Sequence, residues 1–159
     1  MKSPRGLKEL TAFYGNPNLW IRADGSAHPA WESQMVLVPM PYPLPLGWAP
    51  RTEAIRVRVH NKIAGLVEET FLALMEEGAW GLLKTYDGGY TWRPKRGSSK
   101  LSMHAFGAAL DFNAGTNRLG QVDFDMPREV VRVFERLGWT WGGRWRVPDA
   151  MHFQFGRAY

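Results

Sequence analysis

Cysteine is absent from the 159 residues. Disulfides, thiolate zinc clusters and cysteine nucleophiles are therefore excluded. The fold must be held by packing, or by packing together with a metal bound through nitrogen and oxygen. Long apolar runs are missing too: no window approaches the roughly 20 residues needed to span a bilayer, so no membrane insertion is expected. The basic opening MKSPRGLKELTAFYG lacks the apolar stretch of a secretory signal, and the expectation is a chain without one. There is no internal repeat and no low-complexity linker. No compact block of Lys and Arg interleaved with aromatics occurs either, so nucleic-acid binding is not expected. What remains is 45% hydrophobic and 22% charged, the balance of an ordinary globular domain, and a chain this long is expected to form one. The formal net charge of +5 favours solubility and would attract an anionic surface such as a cell wall.

The first forty residues read as loops and short elements, with turn signals at YGNPN and RADGSAHPAWE. In VPMPYPLPLGWAP, proline alternates with apolar residues, which predicts a polyproline-like segment packed over the surface. Strict alternation in AIRVRVH (54–60) predicts a half-buried strand, with Ile55, Val57 and Val59 on one face. From Asn61 the period becomes helical: Ile63, Leu66, Val67, Phe71, Leu74 and Met75 form one stripe that Gly78 ends. YDGGYTWRPKRGSS is a long polar loop of the kind that often carries function. AALDFN reads as a strand, and DMPREVVRVFERLG as a helix capped by Asp125, with Val130, Val131 and Phe134 buried and Gly138 at its end. In the last segment His152 and Gln154 oppose Met151, Phe153 and Phe155. The order predicts an α+β domain with a mainly antiparallel sheet packed with helices.

Three residues stand out. His104 precedes the AALDFN strand, Asp111 lies on it, and His152 lies on a second strand expected to face the same way. Two imidazoles and one carboxylate leave one tetrahedral position open, as catalytic zinc sites do. A carboxylate inside an apolar strand needs a cation or several donors. Spacing alone leaves two readings open: a metal site, or three separately hydrogen-bonded polar residues. His28 and His60 fit no ligand position and read as structural or surface residues.

The stretch SMHAFGAALDF fills every fixed place of S-x-H-x-x-G-x-A-x-D with Ser102, His104, Gly107, Ala109 and Asp111, and DAMH adds an acid three residues before a histidine. Together these resemble the LAS-type, VanY-like zinc peptidases. That family includes D-alanyl-D-alanine carboxypeptidases and phage L-alanyl-D-glutamate endopeptidases. The likeness is densest over 86–155 and nearest to the phage endolysin branch, through LSMHAFGAALDFN, NRLG, MPREVVRVFERLGW, WGGRW and DAMHFQF. It implies a Hedgehog/DD-peptidase-like fold with one Zn²⁺ on the sheet face. Residues 1–159 would be a single peptidase domain, with an irregular, Pro-rich part over 1–50 and the catalytic core over 51–159.

By the same resemblance His104, Asp111 and His152 are the zinc ligands and Asp149 the general base. Many members carry glutamate at the base position, whereas the endolysin branch commonly has aspartate. In amide hydrolysis such an acid takes the attacking water's proton and returns it to the leaving amine. Arg93 matches the arginine that faces the oxyanion, with Arg96 as the fallback. Ser102 is expected to hydrogen-bond so as to orient a ligand, since no base-paired serine arrangement is evident. Trp141 and Trp145, with Asn113, are candidates for the substrate groove, while Trp139 and Asn117 flank the same region. The implied function is hydrolysis of an amide in the peptidoglycan stem peptide. L-Ala-D-Glu cleavage comes first, and D-Ala-D-Ala carboxypeptidase activity or a catalytically silent wall-binding or virion protein are the alternatives. The expected partner is bacterial peptidoglycan and the expected state a monomer. Without a signal, the chain is expected in a host cytoplasm before release to the wall, or in a virion.

Overall fold

The computed structural model describes residues 1–95 and 97–159. Its centre is a six-stranded sheet in the order β2-β1-β3-β4-β6-β5, built from β1 (Met35–Leu46), β2 (Ala49–His60), β3 (Tyr86–Gly88), β4 (Ala109–Phe112), β5 (Thr140–Trp141) and β6 (His152–Gln154). All neighbours are antiparallel except β1 and β3, which meet in parallel at Leu46 and Tyr86. The helices are α1 (Gly6–Tyr14), α2 (Pro29–Glu32), α3 (Ala64–Glu76) and α4 (Arg128–Arg136). The expected α+β domain, mainly antiparallel, is what the chain forms.

The apolar stripes explain how the helices sit. α3 buries Leu66, Val67, Phe71 and Leu74, with Ile63 just before it, and Gly78 ends the segment at φ +68°. α4 buries Val130, Val131, Val133 and Phe134; Phe134 stacks on Phe153 of β6 at 4.1 Å and meets Phe112 of β4 at 6.1 Å. One helix thus clamps both strands that carry the conspicuous polar residues. Trp139 is core, its Nε1–H donating to Thr70 Oγ1 of α3 at 3.0 Å.

Several expectations are corrected. The proline-rich segment is not a polyproline cover but strand β1, paired with β2 from Met35↔His60 onward. Its prolines fall at every second position from Pro39 to Pro45, and the ladder is irregular between Pro39 and Leu44. Proline is tolerated in sheets at such bulges, where a missing donor breaks no ladder bond. The same irregularity leaves Ile55 outside the buried set of Val57 and Val59. Residues 1–50 are therefore not an irregular prelude. β1 is an inner strand of the sheet, and α1, unforeseen in the sequence, buries Leu10 and Tyr14. Asp125 does not cap α4; its carboxylate accepts from Thr116 Oγ1 and Asn117 Nδ2 instead.

Candidate metal centre

β4 and β6 lie side by side with Asp111 directly opposite His152. His104 comes from the turn before β4. There the Ser102 hydroxyl accepts from the His104 backbone N–H at 3.0 Å, and Gly107 takes φ +65°. A Cβ at Gly107 would lie 2.7 Å from the His60 backbone nitrogen, so only glycine lets this turn press against β2. His104, Asp111 and His152 are each at most 6% exposed. His104 Nε2 lies 3.1 Å from Asp111 Oδ2, His152 Nδ1 lies 2.8 Å from Asp111 Oδ1, and the two ring nitrogens are 3.2 Å apart.

The outer ring nitrogens decide which atoms face inward. His104 Nδ1 is 2.8 Å from the Gly89 carbonyl, which can only accept, so Nδ1 carries the hydrogen. Gln154 Nε2 donates to the Gly156 carbonyl at 2.8 Å, which turns its Oε1 toward His152 Nε2 at 3.1 Å. That nitrogen is therefore also a donor. His104 Nε2, His152 Nδ1 and the Asp111 carboxylate then present only lone pairs to one another. Such a set repels itself unless a cation joins it, either a metal ion or, without one, a proton on each ring, and nitrogen and oxygen donors suit zinc. Burial would raise the Asp111 pKa, but the charges and hydrogen bonds of His104 and His152 hold it well below the usual carboxylate range. For His152, burial opposes protonation while Asp111 favours it, and the net shift is upward. All three ligand atoms lie within 4.8 Å of one another, a fit for one metal ion.

The cluster opens onto a cavity of about 420 Å³, whose walls include Arg93, Ser102, Trp145 and Asp149. Asp149 Oδ1 is buried yet has no hydrogen-bond partner among the described residues. Burial raises the Asp149 pKa; His152, His104 and Arg93 pull it down, Asp111 pushes it further up, and the balance is upward. A buried carboxylate oxygen left without a donor is costly unless another species completes it.

Residues 96–155, well under half of the chain but containing the whole cluster and Asp149, match the family model described as D-alanyl-D-alanine carboxypeptidase. Over this stretch the chain is similar to the VanY-like peptidases. Peptidase action on peptidoglycan is the activity this match supports. No curated protein and no solved structure matches the chain.

The expected site residues divide cleanly. His104, Asp111, His152, Asp149, Arg93, Ser102 and Trp145 share the cavity, with the Trp145 ring 5.4 Å from that of His152. Ser102 bonds the His104 backbone rather than its ring. Trp141 and Asn113 stand elsewhere. The Trp141 indole donates to the Ala150 carbonyl at 2.8 Å and packs edge-on against Phe124, on a different groove. Asn113, at φ +55°, accepts from the Lys84 and Thr85 N–H groups and closes a turn. Asn117 is buried in the neighbouring loop. His28 caps α2, and His60 is a core residue, as expected. Arg96 lies outside the described residues.

Two contributors were not foreseen. Gln154 shares a strand face with His152, so alternation does signal it. Gly89 gives no such signal: its carbonyl fixes His104, and a Cβ there would lie 2.7 Å from the Arg58 carbonyl oxygen. No helix among the described residues is long and apolar enough to cross a membrane.

Proposed function

We propose that this chain is a zinc peptidase that hydrolyses an amide bond in the peptidoglycan stem peptide, in the manner of a phage endolysin cutting L-Ala-D-Glu. The observation that carries this is the joint presence, in one cavity, of a lone-pair cluster and a buried carboxylate oxygen without a partner among the described residues. A structural metal site would need the first feature and not the second. His104, Asp111 and His152 would hold the ion, which when bound polarises the scissile carbonyl and makes water acidic enough to attack.

The remaining steps belong to the chain itself. Asp149, facing the cluster, takes a proton from the attacking water and passes it to the leaving nitrogen. Its raised pKa suits a group that must both accept and release that proton. Arg93, on the cavity wall, supplies positive charge to the oxyanion that forms on the carbonyl oxygen. Gly89 and Gln154 keep the two imidazoles in the tautomers that point bare nitrogens inward. Trp145 covers the His152 side and limits water there.

A second reading, removal of a terminal D-alanine, is favoured by the description of the matched family. Both readings use the same residues and differ in what lies beyond the scissile bond. Purified sacculi digested by wild type, Asp149→Ala and His152→Ala, with mass spectrometry of the released muropeptides and parallel zinc analysis, test the proposal. Wild type should release fragments ending at L-Ala. Asp149→Ala should keep zinc and lose release, and His152→Ala should lose both. No release by wild type from several wall chemotypes would overturn the proposal.

A further inference from the structure

Three arginines outside the cavity are paired with carboxylates. Arg58 pairs with Glu32, Arg136 with Glu77, and Arg144 with both oxygens of Glu135. The two cations of the cavity wall, Arg93 and Lys95, have no such carboxylate partner among the described residues.

Lys95 is nevertheless held in place. Its ammonium lies 3.8 Å from the centre of the Tyr159 ring, a distance for a cation–π contact. That ring is fixed in turn: the Tyr159 hydroxyl donates to the Leu101 carbonyl at 3.0 Å, and Phe106 meets the ring edge-on at 5.5 Å. Backbone pairing of Pro94 with Leu101, and the Lys95 N–H bond to the Lys100 carbonyl at 2.8 Å, pin the segment from below. A ring face steadies an ammonium without neutralising it, so the three N–H donors stay available for an anion. Burial first, and Lys100 second, depress the Lys95 pKa, the mark of an ammonium short of water and counter-charge.

Its position along the wall also matters. The charge of Arg93 reaches Asp149, and Lys95 lies two residues further along the same wall. With Arg93 assigned to the reacting centre, Lys95 is the second cation that the same cavity offers a substrate. We infer that Lys95 receives a free carboxylate on the substrate residue that flanks the scissile amide, making the site selective for peptides with that charge. The inference rests on the peptidase reading above and adds the substrate class. A D-glutamyl residue with a free α-carboxylate and a terminal D-alanine both supply such a group; a neutral amide does not.

The test uses two pairs of synthetic stem peptides. One pair carries D-glutamate or D-isoglutamine after L-alanine, and the other ends in D-Ala-D-Ala or its carboxamide. Within the pair that wild type cuts, kcat/KM should favour the carboxylate by roughly 10- to 100-fold, the range for a hydrogen bond to a charged group. Lys95→Met keeps the aliphatic stem on Tyr159 and should bring that ratio close to one, while Lys95→Arg should keep most of it. A ratio that Lys95→Met leaves at the wild-type value, whatever the absolute rates, would overturn the inference. So would a wild-type ratio of one. Failure of wild type to cut any of the four peptides would instead sink the peptidase reading, and this inference with it.

Discussion

His60 and His152 are almost equally hidden, at 1% and 6% exposure, yet their surroundings differ in kind. His60 Nε2 donates to the Tyr14 carbonyl at 3.1 Å, and its Nδ1 accepts from the Lys62 N–H at the same distance. Both nitrogens of the ring are used by the backbone, and burial, the leading cause, takes its pKa down to about 4. In His152 only the outer nitrogen is used, by Gln154; the inner one faces a carboxylate and a second imidazole. One region of the sheet therefore treats histidine as a neutral strut and the other turns a ring nitrogen into a cluster that could hold a cation. Burial does not make a ligand. What separates the two is whether the second lone pair is already consumed.

Substitutions should sharpen that contrast, and the largest effect belongs to the inner nitrogen. His152→Ala removes one of three ligand atoms and should abolish stoichiometric zinc and detectable wall cleavage together, read by elemental analysis and muropeptide release. Asp149→Asn should leave zinc in place and slow cleavage by about 10²- to 10⁴-fold in single-turnover assays. Retained activity in that variant would remove Asp149 from the proton path. Gln154→Leu leaves every ligand present but frees the His152 ring, and should weaken zinc affinity by roughly 10- to 100-fold in chelator competition. An unchanged affinity would mean that the tautomer is not set by Gln154.

The strut histidine should give the reverse pattern. His60→Leu strands the Lys62 N–H and the Tyr14 carbonyl, so chemical denaturation should show a loss of about 1–3 kcal/mol with zinc content unchanged. The pH dependence has a definite sign. His60 binds a proton less readily folded, at about 4, than unfolded, at about 6.5. Its contribution to stability is therefore complete above the unfolded value and shrinks as pH falls from there toward 4. His60→Leu should flatten the stability curve within that window, and an unaltered slope would assign the acid sensitivity elsewhere.

The candidate ligands were legible because their chemistry is written in residue type and strand parity. An acid in the middle of AALDFN is conspicuous, and alternation puts His152 on one face of its strand. α3 and α4 were legible from long apolar stripes closed by Gly78 and Gly138. Other features depend on register or on contacts between distant segments, which local pattern does not carry. Three tryptophans within seven residues look equivalent in sequence, but β5 pairing turns Trp141 to another groove, while Trp145, beyond the strand, reaches the cavity. β1 was hidden because proline is read as a strand breaker, a rule that fails where the ladder is already irregular. Gly89 was hidden because what it contributes is a carbonyl, and every residue has one.

The central claim is that the converging atoms of His104, Asp111 and His152 are completed by one cation. Calorimetric titration of zinc into chelator-treated protein tests it most directly, with His60→Leu and His152→Ala run beside wild type. One ion per chain in wild type and in His60→Leu, and none in His152→Ala, is the predicted result. Zinc uptake by His152→Ala equal to that of wild type, or no uptake by wild type at all, would contradict it.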